Sequence, residues 1–216
     1  MTYGSVYEIT NPLTTVGKQR FIDYFGGKVI DSEHWDITNE VAGNSAMDNS
    51  IDGGFKLQSG TTNSSYVQMD FDTKRPFNRA GCSIVWAFKG GIPANSGAGW
   101  IQLGIGLDNG NNGAMFFVQG TTHKFQLRTA RTESFSMVDS GMVNDREWHT
   151  TKVHSASDGG ATGGAATLWI DGILRATCST NLQSSAAMQP QVYLTYGNDP
   201  YINKTLNINY CEAWNT

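Results

Sequence analysis

The stretch from residue 147 to residue 178 constrains the fold of this chain more than any other. Asp171-Gly172 separates two short runs of β-branched, aromatic and aliphatic residues, 166–170 and 173–178. This pattern is the strongest short signal for a two-residue β-hairpin, because glycine accepts the positive φ angle that such a turn needs. The preceding run, 148–154, joins the hairpin through a loop too rich in glycine to be helical. We therefore expect three adjacent antiparallel strands in the middle of a sheet.

Period-two alternation recurs in the other strand-like segments. In the run 66–72, three apolar residues face one way, and the alternation places the acids Asp70 and Asp72 in solvent. Residues 82–88 are apolar on both faces, which predicts a central strand covered on both sides. Short strands separated by glycine, asparagine and serine turns, with no long helix and no repeat, indicate an all-β sandwich or barrel.

Residues 100–107 form a predicted strand with one unusual face. Ile101, Leu103 and Ile105 alternate with Gln102 and two glycines. A strand face with so few large side chains accommodates a neighbouring backbone, a bulky side chain or a flat ligand.

The length of 216 residues fits one domain, because β-sandwiches of this size commonly have a single core and no proline-rich or charged linker divides the chain. Residues 1–20 are polar and contain the breaker Asn11-Pro12. They form either an arm that reaches a neighbouring subunit or an edge strand, at residues 6–9, of the same sandwich. The sandwich domain itself occupies residues 21–216.

Several strand-like segments resemble those of a known superfamily. Trp148-His149, the turn Trp169-Ile170-Asp171-Gly172 and the closing run 206–214 resemble the concanavalin A-like lectin/glucanase superfamily, especially its laminin-G-like and virus-borne members. The runs 21–25 and 53–57 resemble its opening strands. The likeness covers the chain after the N-terminal arm. It implies a two-sheet antiparallel β-sandwich, the concanavalin A-like jelly roll.

The charge of the chain argues against a nucleic-acid partner. The net charge is −4, and phosphate binding needs a clustered basic face that these scattered lysines and arginines do not supply. The basic run 74–79 is interpreted as a solvated loop in preference to a site for phosphate or an acidic partner. The N-terminus lacks the basic and apolar regions of a signal peptide, and no apolar run is long enough to span a bilayer. We expect a protein made and assembled in the cytoplasm, without membrane insertion.

The chain lacks the residue patterns of several enzyme classes. β-Glucan hydrolases of the superfamily carry Glu-x-Asp-x-x-Glu on one strand, where the glutamates act as nucleophile and acid/base, and this spacing is absent here. The nearest carboxylate pair, Asp145 and Glu147, is interpreted as a solvated turn. His149 and His154 are an odd number of residues apart on one strand and face opposite ways, so they cannot share a metal. No catalytic residue and no organic cofactor are predicted.

The cysteines are too few and too far apart for a disulfide framework or a Cys-x-x-Cys metal site. Each lies in a strand-like run, and we expect buried thiols. The three are Cys82, Cys178 and Cys211.

Calcium is the one metal that the loops leave open. Lectin and laminin-G relatives often hold it with loop oxygens, and Asp108, Asn109 and Asn111 supply suitable oxygens, as does the group at 48–52. These residues are also ordinary turn formers, and neither group matches an EF-hand loop. A turn is therefore the simpler interpretation of both groups.

The candidate carbohydrate-binding residues are Trp100, Asn198 and Tyr201. Flat aromatic rings bind pyranose faces, and polar loops flank Trp100 and Tyr201. Core packing explains Trp86 more simply than ligand binding does.

We predict a non-catalytic structural or interaction module of a virus particle, such as a phage capsid decoration protein or a tail or fibre component. The basis is the missing leader, the uncharged polar loops, the N-terminal arm and the resemblance to virion-borne members. Its partners would be other virion proteins or copies of itself, with cell-surface glycans as further ligands. The alternatives are a carbohydrate-binding lectin-like module and, disfavoured by the missing acid pair, a glycoside hydrolase or lyase.

Overall fold

The structure is a computed structural model that describes residues 6–8, 19–26, 29–40, 44–47, 54–60, 65–72, 74–78, 81–92, 99–107, 112–132, 134–156, 164–182, 187–195 and 204–216. These residues form two antiparallel β-sheets, and none of them is helical. The described part of the chain accordingly has no helix that is long and apolar enough to cross a membrane. The predicted fold class, an all-β sandwich of two sheets, is confirmed.

The two sheets differ in size and strand order. Within the described residues, the larger has nine strands, in the order β1-β2-β16-β7-β12-β13-β14 with β5 beside β16 and β4 beside β5, and the smaller has seven, in the order β11-β10-β9-β8-β15-β6-β3. The strands are β1 (Val6–Glu8), β2 (Arg20–Asp23), β3 (Asp36–Glu40), β4 (Asn44–Met47), β5 (Phe55–Gln58), β6 (Tyr66–Asp70), β7 (Cys82–Gly91), β8 (Trp100–Gly106), β9 (Gly113–Gln119), β10 (Lys124–Arg131), β11 (Ser134–Val143), β12 (Trp148–Ala156), β13 (Ala165–Ile170), β14 (Ile173–Cys178), β15 (Gln189–Thr195) and β16 (Thr205–Asn215).

The core lies between the sheets and is built from alternate residues of each strand. On β8, Ile101 and Leu103 point inward, and on β7 Trp86 and Phe88 face them from the other sheet, all buried. Each large apolar side chain that is fully buried contributes about 1.5–3 kcal/mol, which makes this interior the main source of stability. Trp86 is fully buried, so its assignment to the core is confirmed.

An aromatic cluster joins the first strand of the sandwich domain to the opposite sheet. The ring of Phe21 on β2 meets the rings of Trp35 and Phe71 edge to face, with centroids 5.4 and 4.8 Å apart. The carboxylate of Asp23 is buried beside them, and it accepts hydrogen bonds from the Trp35 indole Nε1 (2.8 Å) and the Phe25 backbone N (2.8 Å). Both of its oxygens therefore have donors, which offsets the cost of burying the charge.

The open face predicted for residues 100–107 is filled by a bulky side chain. The thioether of Met115 on β9 lies over the glycines of β8, because a Cβ built on Gly104 would be 2.6 Å from the Met115 sulfur, and one on Gly106 would be 2.7 Å from its terminal carbon. Neighbouring atoms therefore leave no room for a larger side chain at either glycine. Met115 itself is completely buried by this packing.

The hairpin at Asp171-Gly172 is confirmed, but its position in the sheet is not the predicted one. β13 and β14 pair across this two-residue turn, and β12 pairs with β13. The φ angles of Asp171 and Gly172 are 51° and 78°, the left-handed region that a tight hairpin turn requires. In the described sheet, however, β14 is the last strand, so these three strands end the sheet and do not form its middle. Sequence signals fix a hairpin locally and carry no information about the neighbours beyond it.

Two burial predictions are wrong in part. β7 is central, between β16 and β12, yet its outward residues Val85 and Ala87 are only half-buried, so one side of the strand is fully covered and the other only partly. Asp70 was expected in solvent and is instead 7% exposed. Its carboxylate accepts hydrogen bonds from the Gln68 side chain and from the Asp72 backbone N, and these bonds hold it against the outer face of the sheet.

The N-terminal segment contributes an edge strand. β1 pairs antiparallel with β2, with Val6 opposite Ile22 and Glu8 opposite Arg20. Of the two alternatives, the described residues adopt the edge strand. The division of the chain into an arm and a sandwich domain stays a prediction.

All three cysteines are unpaired and buried, as predicted. Burial raises the pKa of the Cys82 thiol to about 12, so this sulfur stays protonated at neutral pH. Cys178 lies where the sheets meet at one end, with its sulfur 3.2 Å from the Thr129 hydroxyl. The thiol of Cys82, which is buried and protonated, is not activated as a nucleophile.

His149 ties the hairpin turn to the strand beside it. Its Nδ1 lies 2.7 Å from a carboxylate oxygen of Asp171, and its Nε2 lies 2.8 Å from one of Asp145. The other oxygen of Asp171 accepts a hydrogen bond from the Thr150 backbone N (2.9 Å). Burial disfavours the imidazolium, but the hydrogen bonds and charges of the two carboxylates outweigh it and raise the pKa of His149. Each ring nitrogen of His149 faces a carboxylate that can only accept a hydrogen bond. Only the protonated imidazole has an N–H on both nitrogens and can donate to both carboxylates.

His149 should make the stability of the protein depend on pH. Because its folded-state pKa is raised, the protonated ring stabilises the fold fully below the unfolded value of 6.5, and this contribution is lost as pH rises through the folded pKa. Urea denaturation at a series of pH values should show this loss in the wild type and not in His149→Gln.

His154→Gln is the matched control. His154 lies on the outward side of the same strand, and burial together with the charge of Lys152 lowers its pKa, so its contribution has the opposite sign. The alkaline loss of stability should therefore persist in that variant. An identical pH dependence in the wild type and His149→Gln would contradict the assignment.

Candidate functional site

A cavity opens on the outer face of the seven-stranded sheet, the face turned away from the core. Its volume is about 260 Å³. It lies over the four strands β10, β9, β8 and β15 and reaches the end strand β11. Its lining residues are Trp100, Gln102, Phe117, Gln119, Arg128, Phe135, Met137 and Tyr193.

Strand register brings these side chains together. Gln102 pairs with Phe117 on one side and with Tyr193 on the other, which makes a row of three across the middle of the sheet. Trp100 lies two residues before Gln102 on β8, on the same face, and pairs with Gln119. The residues between them point into the core, so the alternation that builds the interior also builds the cavity.

The half-buried side chain of Trp100 forms one wall of the cavity. This is the position expected of a ring that stacks on a ligand. Its indole Nε1 is shielded from solvent and has no hydrogen-bond partner among the residues that the structure describes. A shielded donor of this kind is costly unless something accepts from it. The ring of Tyr193 contacts that of Tyr66 on the next strand, at 5.3 Å between centroids, and so extends the aromatic surface beyond the cavity.

Arg128 supplies the positive charge of the cavity. Its Nη1 donates a hydrogen bond to the side-chain oxygen of Gln102 (3.1 Å), two strands away. Its guanidinium carbon lies 5.1 Å from the centre of the Phe135 ring and 5.8 Å from that of Phe117. Both distances are within the range of cation–π attraction. Burial lowers the pKa of Arg128, which marks a guanidinium partly withdrawn from water.

The lining combines aromatic and apolar surfaces with a small number of polar groups. Gln102 and Gln119 offer amides that both donate and accept hydrogen bonds, and no aspartate or glutamate belongs to the described lining. This is the usual composition of a small-molecule binding site, in which apolar surface gives affinity and polar groups give orientation. The arrangement is equipped to bind, and its described residues include no acid/base pair.

The predicted site residues fall partly outside the described chain. Trp100 lies in the cavity. The structure does not describe Asn198 and Tyr201, nor the calcium candidates Asp108, Asn109, Asn111 and those at 48–52. No group of three metal-ligating side chains occurs among the described residues. The carbohydrate and calcium assignments stay predictions.

Two other sequence features take the structural roles that were favoured for them. Asp145 accepts hydrogen bonds from the Glu147 backbone N (3.0 Å) and binds His149, so this carboxylate pair forms a turn. In the basic run, Lys74 and Arg75 are exposed beside a second cavity of about 380 Å³, and the Lys74 ammonium donates to the Glu33 backbone oxygen (2.6 Å).

Most of the cavity residues were missed from the sequence. Tyr193 and Arg128 were recognised only as members of strands, although the alternation already turned Arg128 away from the apolar Phe125 and Leu127. That alternation was the available signal. It gives the face of each side chain and does not give the strand order β10-β9-β8-β15 that brings these side chains into one cavity.

The described fold, a two-sheet antiparallel β-sandwich, is similar to that of several solved structures. The carbohydrate recognition domain of Emp47p is similar in structure over 89% of this chain and 93% of its own, with a TM-score of 0.63 and 11% sequence identity. At this identity the likeness shows the fold alone. It supports the jelly roll that the sequence resemblance implied, while the link to virus-borne members stays a prediction.

Binding domains of botulinum neurotoxins share the same fold. The type C structure matches 98% of this chain with a TM-score of 0.56 and 13% identity, and a type DC structure solved with rat synaptotagmin II matches 98% with a TM-score of 0.56 and 12% identity. The chain spans about half of these binding domains, 47% and 48% of their lengths. No family model matches the sequence, and no curated protein is significantly similar to it.

Proposed function

We propose that this chain is a non-catalytic, carbohydrate-binding module that holds a sugar in the cavity on the outer face of the seven-stranded sheet. The observation that carries the proposal is the convergence of two aromatic side chains, Trp100 and Tyr193, with two amides, Gln102 and Gln119, in one cavity. The rings offer flat apolar surface to a pyranose, and the amides offer donors and acceptors to its hydroxyl groups.

The names of the structural neighbours support the same proposal. The Emp47p domain is a carbohydrate recognition domain, and cell entry of the type C neurotoxin depends on interaction with two ganglioside molecules. The volume of about 260 Å³ is slightly below the common range of about 300–1,000 Å³ for ligand pockets. We infer that the cavity takes one sugar residue of a longer chain, whose remainder lies along the sheet.

Removing either aromatic wall should weaken glycan binding. Trp100→Ala and Tyr193→Ala each remove a stacking surface, and we expect each to lower affinity about tenfold or more, as for central aromatic residues of other interfaces. A glycan array would identify a ligand, and calorimetry with that ligand would measure the loss.

Trp169→Ala is the control for that experiment. Trp169 is half-buried on the outer face of the other sheet, where Lys152 lies over its ring at 5.1 Å. Its loss should leave glycan affinity unchanged. If no glycan bound, or if only Trp169→Ala reduced binding, the proposed site would be wrong.

The module should not hydrolyse β-glucans. Glycoside hydrolysis uses two carboxylates about 5–9.5 Å apart across the scissile bond, and the described lining of the cavity contains none. Incubation with a panel of β-glucans should release no reducing ends above the level of a heat-denatured sample. Hydrolysis that disappeared when one glutamate was changed to glutamine would establish an enzyme.

We also propose that the module is a structural part of a virus particle made in the host cytoplasm, where it contacts further copies of itself. The sequence resemblance is one support. The other is exposed apolar surface at the end strands of the two sheets, which lie against each other: Val143 on β11, and Ile173 and Leu174 on β14. Exposed apolar side chains along such an edge are typical of protein–protein contacts.

Self-association should depend on this end of the sandwich. Light scattering after size exclusion should show an oligomer, and Leu174→Glu should shift it towards the monomer, because a charge replaces a side chain that is 51% exposed. Val29→Glu, at a side chain 79% exposed elsewhere, should have no effect. A monomer at all concentrations, or absence of the protein from purified particles, would refute the proposal.

A further inference from the structure

The cavity has a cationic end that neutral sugar binding does not use. Arg128 is the one charged residue among its described lining residues, and it lies beside the exposed ring of Phe135. Arginine on an open sheet face ordinarily extends into water. Here it is packed over two aromatic rings and turned across β9 towards Gln102. The charge is therefore directed into the cavity.

The hydrogen bond to Gln102 fixes the plane of the guanidinium. A guanidinium carries five N–H donors in a rigid fork, which is enough to serve Gln102 and a carboxylate at the same time. A carboxylate accepts two parallel hydrogen bonds from such a fork, and these charge-assisted bonds are about twice as strong as neutral ones. Partial withdrawal from water strengthens the attraction further, because the local dielectric constant is lower.

We propose that Arg128 recognises the carboxylate of an acidic sugar, such as a sialic or uronic acid, whose ring stacks on the aromatic walls. This inference rests on the proposed carbohydrate-binding function and names its ligand class. The described lining contains no carboxylate, so it would not repel an anionic ligand. The amides of Gln102 and Gln119 then face the hydroxyl groups of the same sugar.

The competing explanation for Arg128 is structural, since its contacts with Gln102 and the two phenylalanines also order the sheet face. The two roles differ in what they do to ligand choice. A structural arginine affects acidic and neutral sugars equally when it is replaced. Replacing a carboxylate-binding arginine weakens the binding of acidic sugars much more than that of neutral ones.

The test uses the full chain and three matched probes: sialyllactose, its carboxyl-reduced counterpart and lactose, with a uronic acid-terminated disaccharide as a second acidic probe. For the wild type, calorimetry should show at least one acidic probe binding about tenfold more tightly than its neutral counterpart, the difference expected for hydrogen bonds to a charged group. Arg128→Gln should abolish this preference, because it should lower affinity for the acidic probe about tenfold more than affinity for the neutral one. Arg128→Lys should lose most of the preference as well, because lysine keeps the charge but not the fork.

Arg131→Gln is the matched control, since Arg131 is an exposed arginine of the same strand that does not line the cavity. It should keep the full preference, and circular dichroism should confirm that all variants are folded. Equal binding of acidic and neutral probes by the wild type would overturn the inference and leave the carbohydrate-binding function intact. Tighter binding of sulfated lactose than of either carboxylate would also overturn it. Failure of every probe and every array glycan would instead refute the proposed function itself.

Discussion

The register of β8, β9 and β10 is the constraint on which the binding face depends. Ile101, Leu103 and Ile105 are locked into the core, and this sends Trp100 and Gln102 to the outer face. A slip of one residue along a strand would exchange the two faces, turning the Gln102 amide into the core and the isoleucines outward. The free energy that holds the sandwich together therefore also fixes the cavity. The walls are positioned by the same packing that stabilises the fold.

Much of the fold was predictable because β-strands carry their faces in a period of two. The alternation in 66–72 and 100–107 predicted β6 and β8, and Asp171-Gly172 predicted the turn between β13 and β14. The two predictions that were wrong, on the position of the hairpin and on Asp70, have the same cause. The place of the hairpin at the end of its sheet and the burial of Asp70 both depend on neighbouring strands distant in sequence. Period-two patterns give the direction of a side chain and do not tell what covers it.

The same limit explains how little of the site could be predicted. Trp100 was a candidate because its flat ring can stack on a sugar and polar loops flank it, and it lies in the cavity. Arg128 and Tyr193 are separated from it by 28 and 93 residues, and only the strand order places the three together. The glycines of β8 correctly indicated a strand face that accepts a bulky side chain. Their bare face admits the Met115 side chain, and that packing keeps the floor beside Arg128 apolar.

The position of Arg128 suits ligand binding. Withdrawing a guanidinium from water costs free energy, and the hydrogen bond to Gln102 and the ring contacts at 5.1 and 5.8 Å act against this cost, each cation–π contact contributing about 0.5–2 kcal/mol. An apolar side chain would cover Met115 and Phe117 at lower cost. The arrangement becomes favourable when an anion enters, because the arginine is already desolvated and oriented and little further ordering is needed. A cation that is already oriented in the cavity before the ligand arrives is what a site for an acidic ligand requires.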